Sequence, residues 1–124
     1  MVDTSSSCIF CSIINKNISA KIVAENNTVL AFHDINPAAD IHILIIPKIH
    51  IRGVNNLSPE YASVVGDMLM MAQELAQRFK VGESGYRLVI NTESGAGQSV
   101  FHLHMHFLAG GEFSWPPGVS LSKS

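Results

Sequence analysis

The most regular alternation of apolar and polar positions in the chain lies at residues 100–108, Val-Phe-His-Leu-His-Met-His-Phe-Leu. A period of two residues predicts a β-strand, because successive side chains of a strand point to opposite faces. The imidazoles of His102, His104 and His106 then share one face, about 6.5–7 Å apart along the strand, and the apolar residues between them cover the other. We therefore predict a strand that presents three histidines to one substrate.

A second pattern places apolar residues at spacings of three and four between Tyr61 and Phe79. This spacing puts them on one side of an α-helix. Ser58 suits the N-cap, and Pro59 suits the first helical position, where a backbone N–H is not needed. We predict one long amphipathic helix over residues 59–80 that lies on a sheet.

Four further runs rich in aliphatic residues predict the rest of the sheet: residues 21–25, 28–33, 41–47 and 85–91. The first two form a hairpin around Asn26-Asn27, a dipeptide that tolerates positive φ. The third is almost continuously apolar and is expected to be central and buried on both faces, and the fourth pairs with the histidine strand. With a short helix at residues 8–14, the chain is predicted to be α+β with a five-stranded antiparallel sheet.

Length and composition limit the partners of the protein. A chain of 124 residues forms one domain, here predicted at residues 8–118 between flexible segments 1–7 and 119–124. The net charge of −2 and scattered basic residues predict no binding to nucleic acid or to a membrane. Without a signal peptide or a membrane span, the protein is expected in the cytoplasm, and also in the nucleus if it is eukaryotic. An apolar content of 47% weakly favours a subunit interface.

The three histidines allow two kinds of chemistry. Several imidazoles can hold a catalytic zinc, but three alternate positions on one strand fan apart, so another ligand would be needed to close the site. Nucleophilic or acid–base use is the interpretation we favour. The central His104 has a possible donor on each side, and imidazole is largely neutral at pH 7, so it can attack phosphorus without a strong base.

The loop before the histidine strand supports a phosphate substrate. Residues 94–99, Ser-Gly-Ala-Gly-Gln-Ser, are small enough for backbone amides to approach an anion, and Ser99 adds a hydroxyl donor. A short glycine-containing turn is also what an ordinary hairpin loop contains. Its position beside the histidines favours the phosphate-binding interpretation.

These residues resemble the histidine triad (HIT) family of nucleotide hydrolases and transferases. The family motif is His, apolar, His, apolar, His, apolar, apolar, and residues 102–108 fit it at every position. The similarity extends over residues 8–118, through Ala-Phe-His-Asp-Ile-Asn-Pro at 31–37, Ile-Ile-Pro-Lys-Ile-His at 45–50 and Gly-Tyr-Arg-Leu-Val-Ile-Asn at 85–91. Gly-Gln-Ser-Val at 97–100 and Trp-Pro-Pro-Gly at 115–118 are most similar to the Hint branch, the purine nucleoside phosphoramidate hydrolases.

The resemblance implies a role for individual residues. His104 would be the nucleophile that forms a nucleotidyl-histidine intermediate, supported by His42 and surrounded at the α-phosphate by His106, Ser99 and Asn91. Asp34 would accept hydrogen bonds from the ribose. The remaining substrate-binding residues implied by the resemblance are Phe10, Phe32 and Ile35 around the base, with Gly97, Gln98, Val100 and Trp115. Family members form homodimers with a ten-stranded sheet, in which the Trp115 segment reaches toward the partner's site.

The implied activity is hydrolysis of purine nucleoside 5′-phosphoramidates, such as adenosine 5′-monophosphoramidate. Three alternatives stay open at this point. The protein could be a nucleotide-binding regulatory adaptor with incidental hydrolysis, a dinucleoside polyphosphate hydrolase, or an enzyme that uses a metal at the histidine triad. The first two are compatible with the same motif, and the third is not what the resemblance implies, since no catalytic metal is expected.

The pair Cys8-x-x-Cys11 departs from many Hint proteins. In a reducing compartment such a pair indicates metal or redox use before a structural disulfide. Other relatives of the family carry this pair and bind structural zinc with two histidines, and the matching ligands here would be Cys8, Cys11, His50 and His102. Free thiols packed as small apolar residues, or a redox pair, are the alternatives. Ala96, where glycine is usual in the loop, is a milder departure.

Overall fold

The computed structural model describes residues 8–118, and the predicted flexible segments lie outside this range. Two α-helices and five strands occur in the described chain: α1 (Ile9–Ile14), β1 (Ile22–Glu25), β2 (Val29–His33), β3 (Ile41–Pro47), α2 (Ala62–Arg78), β4 (Tyr86–Val89) and β5 (Met105–Ala109). None of the helices in this part of the chain has the length and apolar character that a membrane crossing requires.

The strands form one antiparallel sheet in the order β1-β2-β3-β5-β4. The prediction of an α+β fold with a five-stranded antiparallel sheet, one long helix and a short N-terminal helix is confirmed. β3 is central, as its apolar run predicts, and it pairs with β2 on one side and β5 on the other. This pairing sets Leu44 opposite His106 and joins the triad segment to the middle of the sheet.

The sheet has a core on each face. α2 covers one face, where Leu103, Met105 and Phe107 are buried under the helix. α1 covers the other, where Phe10 and Cys11 pack with residues of β2 and β3. The apolar residues between the histidines therefore lie on the face of the sheet that α2 covers. The rings of His102 and His104 contact Phe10 on the α1 side, as the alternation predicts.

The histidine strand is shorter than predicted. β5 begins at Met105, so His102 and His104 lie in an irregular segment before it. The reason lies in β3, which ends at Pro47, a residue without a backbone N–H to extend the ladder. Instead, the Pro47 carbonyl accepts a hydrogen bond from the His102 ring, and the Leu103 amide donates to the Ile51 carbonyl.

Three other local predictions differ from the structure. The hairpin at Asn26 uses no positive φ, because the Asn26 side chain accepts from the amides of Thr28 and Val29 instead. The Ser58 hydroxyl makes no capping bond, and a 3₁₀ turn over Pro59–Tyr61 precedes α2. β4 ends at Val89, two residues before the predicted end.

The two glycines after β5 allow a matched test of backbone strain. Gly110 and Gly111 both have φ of +87°, but a Cβ at Gly110 would lie 2.7 Å from the Asp40 Cβ, whereas nothing lies within 4 Å at Gly111. We expect Gly111→Ala to cost about 1 kcal/mol for its left-handed backbone, and Gly110→Ala to cost about 1–3 kcal/mol more. Urea unfolding of both variants measures the difference. Equal losses would contradict the close packing of Asp40 against Gly110.

Candidate active site

His104 is held with one ring nitrogen free. It lies 5% exposed in the segment before β5, and its Nδ1 is 2.8 Å from the backbone carbonyl of His102. A carbonyl can only accept, so Nδ1 carries the proton and donates. Neutral His104 therefore has its lone pair on Nε2, which is the nitrogen that can act as a nucleophile.

A hydrogen-bond chain sets the tautomer of His106. The Ala38 amide donates to His42 Nδ1 at 2.9 Å, so the His42 proton is on Nε2. His42 Nε2 lies 2.8 Å from His106 Nδ1 and donates to it, which leaves the His106 proton on Nε2. The His104 and His106 rings are 5.1 Å apart between centroids. A lone pair on His104 and an N–H on His106 are thus available side by side.

Burial keeps His106 neutral. Burial, together with the neighbouring His104 and His42 rings, lowers the pKa of His106 to about 4, against the opposing effect of Asp34. Burial also lowers the pKa of His42, again partly offset by Asp34, whose Oδ2 is 3.4 Å from His42 Nε2. At pH 7 the chain from Ala38 to His106 consists of neutral hydrogen bonds, so His106 acts as a donor and not as a fixed cation.

These histidines open into a cavity of about 1030 Å³. Phe10 and Phe32 meet edge to face at 5.6 Å, and Phe10 also contacts the His104 ring at 5.3 Å, so an aromatic wall runs from the cavity to the candidate nucleophile. Ile35 is 90% exposed at the rim. Asp34 lines the cavity, and its Oδ1 accepts from the Asn36 amide at 2.7 Å, which fixes the carboxylate. The cavity therefore has an apolar end at Phe10 and Phe32 and a polar end at His104 and His106.

The structure brings most of the predicted site residues to this cavity. Those that line it are Phe10, Phe32, Asp34, Ile35, His42, Ser99, Val100, His104 and His106. Four others do not line it: Asn91, Gly97, Gln98 and Trp115. Asn91 lies beside Gly97 at the end of the loop, and Trp115 is 81% exposed.

Three backbone amides of the loop before the triad, which its small residues suggest as anion donors, have partners within the loop. The amides of Ala96 and Gln98 donate to the Glu93 carbonyl, and that of Gly97 donates to the Ser94 carbonyl, so these three are already occupied. The Gln98 side chain is buried and bonds the Glu93 amide and the carbonyls of Arg52 and Val100. Gln98 therefore holds two loops together, and Ser99 is the loop residue that reaches the cavity.

Cys8, Cys11, His50 and His102 converge on one point, and this cluster could hold a metal ion. Cys8 Sγ is 3.4 Å from His102 Nδ1, Cys11 Sγ is 3.2 Å from His50 Nδ1, and the two Nδ1 atoms are 3.2 Å apart. His102 Nε2 donates to the Pro47 carbonyl at 2.9 Å, so its Nδ1 lone pair is directed into the cluster. The fold thus brings together the four residues that the resemblance implies as metal ligands.

A second group in the described chain, Asp34, His42 and His106, also brings possible ligand atoms within 4.8 Å of one another. Both nitrogens of His42 and the Nδ1 of His106 are already used, because His42 Nδ1 accepts from the Ala38 amide and His42 Nε2 donates to His106 Nδ1. This arrangement is that of a hydrogen-bond relay. The relay depends on the Ala38 amide, which sequence reasoning missed, since a backbone group leaves no residue-type pattern.

Comparisons with known proteins found a matching family model and similar sequences. A family model described as the HIT domain matches residues 15–113. A purine nucleoside phosphoramidase of Escherichia coli K12 is 45% identical over 102 residues, which are 82% of this chain and 86% of that protein. An uncharacterized HIT-like protein of Synechocystis is 46% identical over 89% of this chain and 96% of its own length.

Solved structures show the same fold. The crystal structure of a HIT family hydrolase from Legionella pneumophila is similar with a TM-score of 0.88 and 45% identity, and the match covers 90% of this chain and all of that one. A HIT family hydrolase from Clostridium thermocellum has a TM-score of 0.86 and 41% identity, over 88% of this chain and 95% of that one. The likeness thus extends over nearly the whole described chain.

Proposed function

The chain belongs to the HIT domain family, and we propose that it hydrolyses purine nucleoside 5′-phosphoramidates to a nucleoside monophosphate and an amine through a covalent intermediate on His104. The observation that carries this proposal is the pair of fixed tautomers in one cavity, with a lone pair on His104 Nε2 beside an N–H on His106. The name of the Escherichia coli relative supports the choice of substrate.

In the first step, His104 Nε2 attacks the α-phosphorus, and the phosphorus–nitrogen bond breaks as the leaving nitrogen takes up a proton from solvent, which the second step returns. Phosphorylation of Nε2 places positive charge on the ring, which the His102 carbonyl stabilises through its bond to Nδ1. His106 donates through Nε2 to a non-bridging oxygen, with its tautomer held by His42. Water then attacks phosphorus and releases His104. Overall, one water molecule supplies the hydroxyl that phosphorus gains and the proton that the amine takes up.

The cavity offers matching partners for a nucleoside. The edge-to-face pair Phe10 and Phe32, with Ile35 at the rim, gives the base an apolar surface. Asp34 is fixed by the Asn36 amide and can accept from ribose hydroxyls. Ser99 is exposed at the reactive end, where it can donate to the α-phosphate or to the leaving nitrogen. Apolar contact recognises a purine mainly by shape, so we propose no preference between adenine and guanine.

For the cysteine cluster we propose structural zinc. Tetrahedral zinc with bonds of about 2.3 Å to sulfur and about 2.0–2.1 Å to nitrogen places sulfur and nitrogen about 3.5 Å apart and two nitrogens about 3.3 Å apart. The corresponding distances here are 3.2–3.6 Å and 3.2 Å. Four protein donors close the coordination sphere, so the ion would join α1 to the chain around His50 and His102 without taking part in the reaction.

We also propose a homodimer that joins two sheets into ten strands. β4 lies at one edge of the sheet, and so offers free backbone groups within the described chain. Leu69, Met70 and Trp115 are large apolar residues that stay exposed in the single chain. A partner could cover them, as the resemblance implies for Trp115. The cytoplasmic location and the absence of nucleic-acid and membrane partners stay predictions.

A direct comparison of substrates tests the proposed reaction. We expect kcat/KM for adenosine 5′-phosphoramidate to exceed that for diadenosine tetraphosphate and for a sugar nucleotide by at least about tenfold, a difference of about 1.4 kcal/mol in the barrier. Release of nucleoside monophosphate measures all three. Faster turnover of the dinucleoside polyphosphate would replace the proposed activity by a polyphosphate hydrolase, and no turnover of any of them would favour the adaptor.

A further inference from the structure

The cysteine cluster opens on one side into a second cavity. This space has a volume of about 440 Å³, and its wall includes Cys8 and His50 but not Cys11 or His102. Cys8 is also the more exposed of the two cysteines, at 9% against 3% for Cys11. A water molecule occupies about 30 Å³ in the liquid, so a small solute such as hydrogen peroxide has room to reach the Cys8 sulfur.

The two sulfur atoms of the cluster are close enough to react with each other. Both cysteines are thiols in this structure, and their Sγ atoms lie within 4.8 Å of one another. The Cys11 amide donates to Cys8 Sγ at 3.2 Å, which holds the Cys8 sulfur next to the residue that carries the second thiol. A disulfide between Cys8 and Cys11 therefore needs only a local movement at the start of α1.

One aromatic ring joins the cysteines to the candidate active site. Phe10 lies between Cys8 and Cys11 in the sequence. Its ring contacts that of His104 at 5.3 Å and that of Phe32 at 5.6 Å between centroids. A movement at the start of α1 therefore shifts a ring that borders both the candidate nucleophile and the surface proposed for the base.

We propose that Cys8 and Cys11 are a site of reversible oxidation, at which a peroxide joins the two sulfurs in a disulfide and so weakens nucleotide binding. The Cys8 sulfur attacks one oxygen of hydrogen peroxide, which gives a sulfenic acid and one water molecule. The Cys11 sulfur then displaces the hydroxyl group, and a second water molecule leaves. Two thiols and one peroxide thus become one disulfide and two water molecules, and a thiol reductant reverses the oxidation.

The disulfide also removes two of the four donors of the proposed zinc site. The two imidazoles of His50 and His102 would remain, and they do not close a tetrahedral coordination sphere. Oxidation should therefore release zinc and free α1 from the chain around these histidines. The inference rests on the proposed nucleotide and zinc sites, whereas formation of the disulfide requires neither of them.

Hydrogen peroxide added to the purified, zinc-loaded protein tests this inference. We expect peptide mass spectrometry to find a disulfide between Cys8 and Cys11, and a colorimetric chelator to detect the released zinc. The dissociation constant of adenosine 5′-monophosphate, measured by calorimetry, should rise at least about fivefold. Dithiothreitol with added zinc should restore the original value. In the matched control, the double variant Cys8→Ser, Cys11→Ser, peroxide should leave the dissociation constant unchanged, which separates the cysteines from oxidised methionines.

Two single variants test which sulfur reacts first. Cys11→Ser retains the thiol that lines the cavity, so we expect dimedone to trap a sulfenic acid at Cys8 during peroxide treatment. Cys8→Ser retains the more buried thiol, which should be labelled at least about tenfold more slowly. Equal labelling of the two variants would overturn the role of Cys8 as the attacking sulfur.

The decisive measurements use the wild-type protein and do not depend on turnover. Failure of the proposed hydrolysis would leave the disulfide and the binding of adenosine 5′-monophosphate measurable, and so would a protein without zinc. The absence of a disulfide at a peroxide concentration that fully oxidises glutathione would overturn the inference. Conversion of the cysteines to sulfinic acids without a disulfide would also overturn it, as would a disulfide that leaves the dissociation constant unchanged.

Discussion

Replacing His104 by alanine is expected to lower kcat for adenosine 5′-phosphoramidate by at least about 10⁴-fold, because it removes the nitrogen lone pair that forms the proposed covalent intermediate. Binding of adenosine 5′-monophosphate should stay within a few-fold of wild type. The base and ribose contacts that we propose, at Phe10, Phe32 and Asp34, do not involve the His104 side chain as a hydrogen-bond partner. Single-turnover kinetics and calorimetry measure the two effects.

His106→Ala provides the graded comparison. It removes a donor to a non-bridging oxygen and leaves the nucleophile, so we expect a loss of about 10²–10³-fold, as for the removal of one preorganised donor. Acid-labile labelling of wild-type protein with a radioactive α-phosphate, absent in His104→Ala, would show the intermediate directly. Turnover of His104→Ala within tenfold of wild type would contradict covalent catalysis at this residue.

The spacing of apolar and polar residues was sufficient to predict the face that the histidines share, the long helix and the central strand. The alternation at residues 100–108 identified the face that the histidines share. The rings of His102 and His104 contact Phe10 on the α1 side although both residues precede β5. The three- and four-residue spacing identified α2, because residues at this spacing share one side of a helix. The continuous apolar run of β3 indicated a strand covered on both faces, and the structure places it at the centre of the sheet.

What the sequence could not supply are the contacts between residues far apart in the chain. The start of β5 depends on Pro47 and Ile51, which lie more than fifty residues away and bond to His102 and Leu103. The tautomer of His106 depends on a backbone amide at Ala38 through His42. The resemblance implies Gln98 as a substrate-binding residue, and the structure adds that its side-chain amide holds the loops of Arg52 and Glu93 together.

The double substitution Cys8→Ser, Cys11→Ser is expected to remove zinc and to lower the melting temperature by about 10–20 °C. A ligand at 1,000 times its dissociation constant stabilises the folded state by about 4 kcal/mol, and zinc in this site would do so by tying α1 to His50 and His102. α1 has six residues, too few to be a stable helix by itself, so it depends on such contacts. Elemental analysis and calorimetric melting measure the two effects.

Ser12→Ala is the matched control, since Ser12 lies on the same short helix and is not part of the cysteine cluster. It should retain about one zinc per chain and melt within a few degrees of wild type. Chelation should bring the wild-type protein down to the melting temperature of the cysteine variant, and added zinc should restore the melting temperature of the wild type alone.

Because Phe10 lies between the two cysteines in the sequence and contacts His104, we expect the metal-free protein to bind nucleotide more weakly as well. Wild-type protein that contains no zinc as purified, and whose melting temperature does not rise when zinc is added, would show that Cys8 and Cys11 are packed thiols.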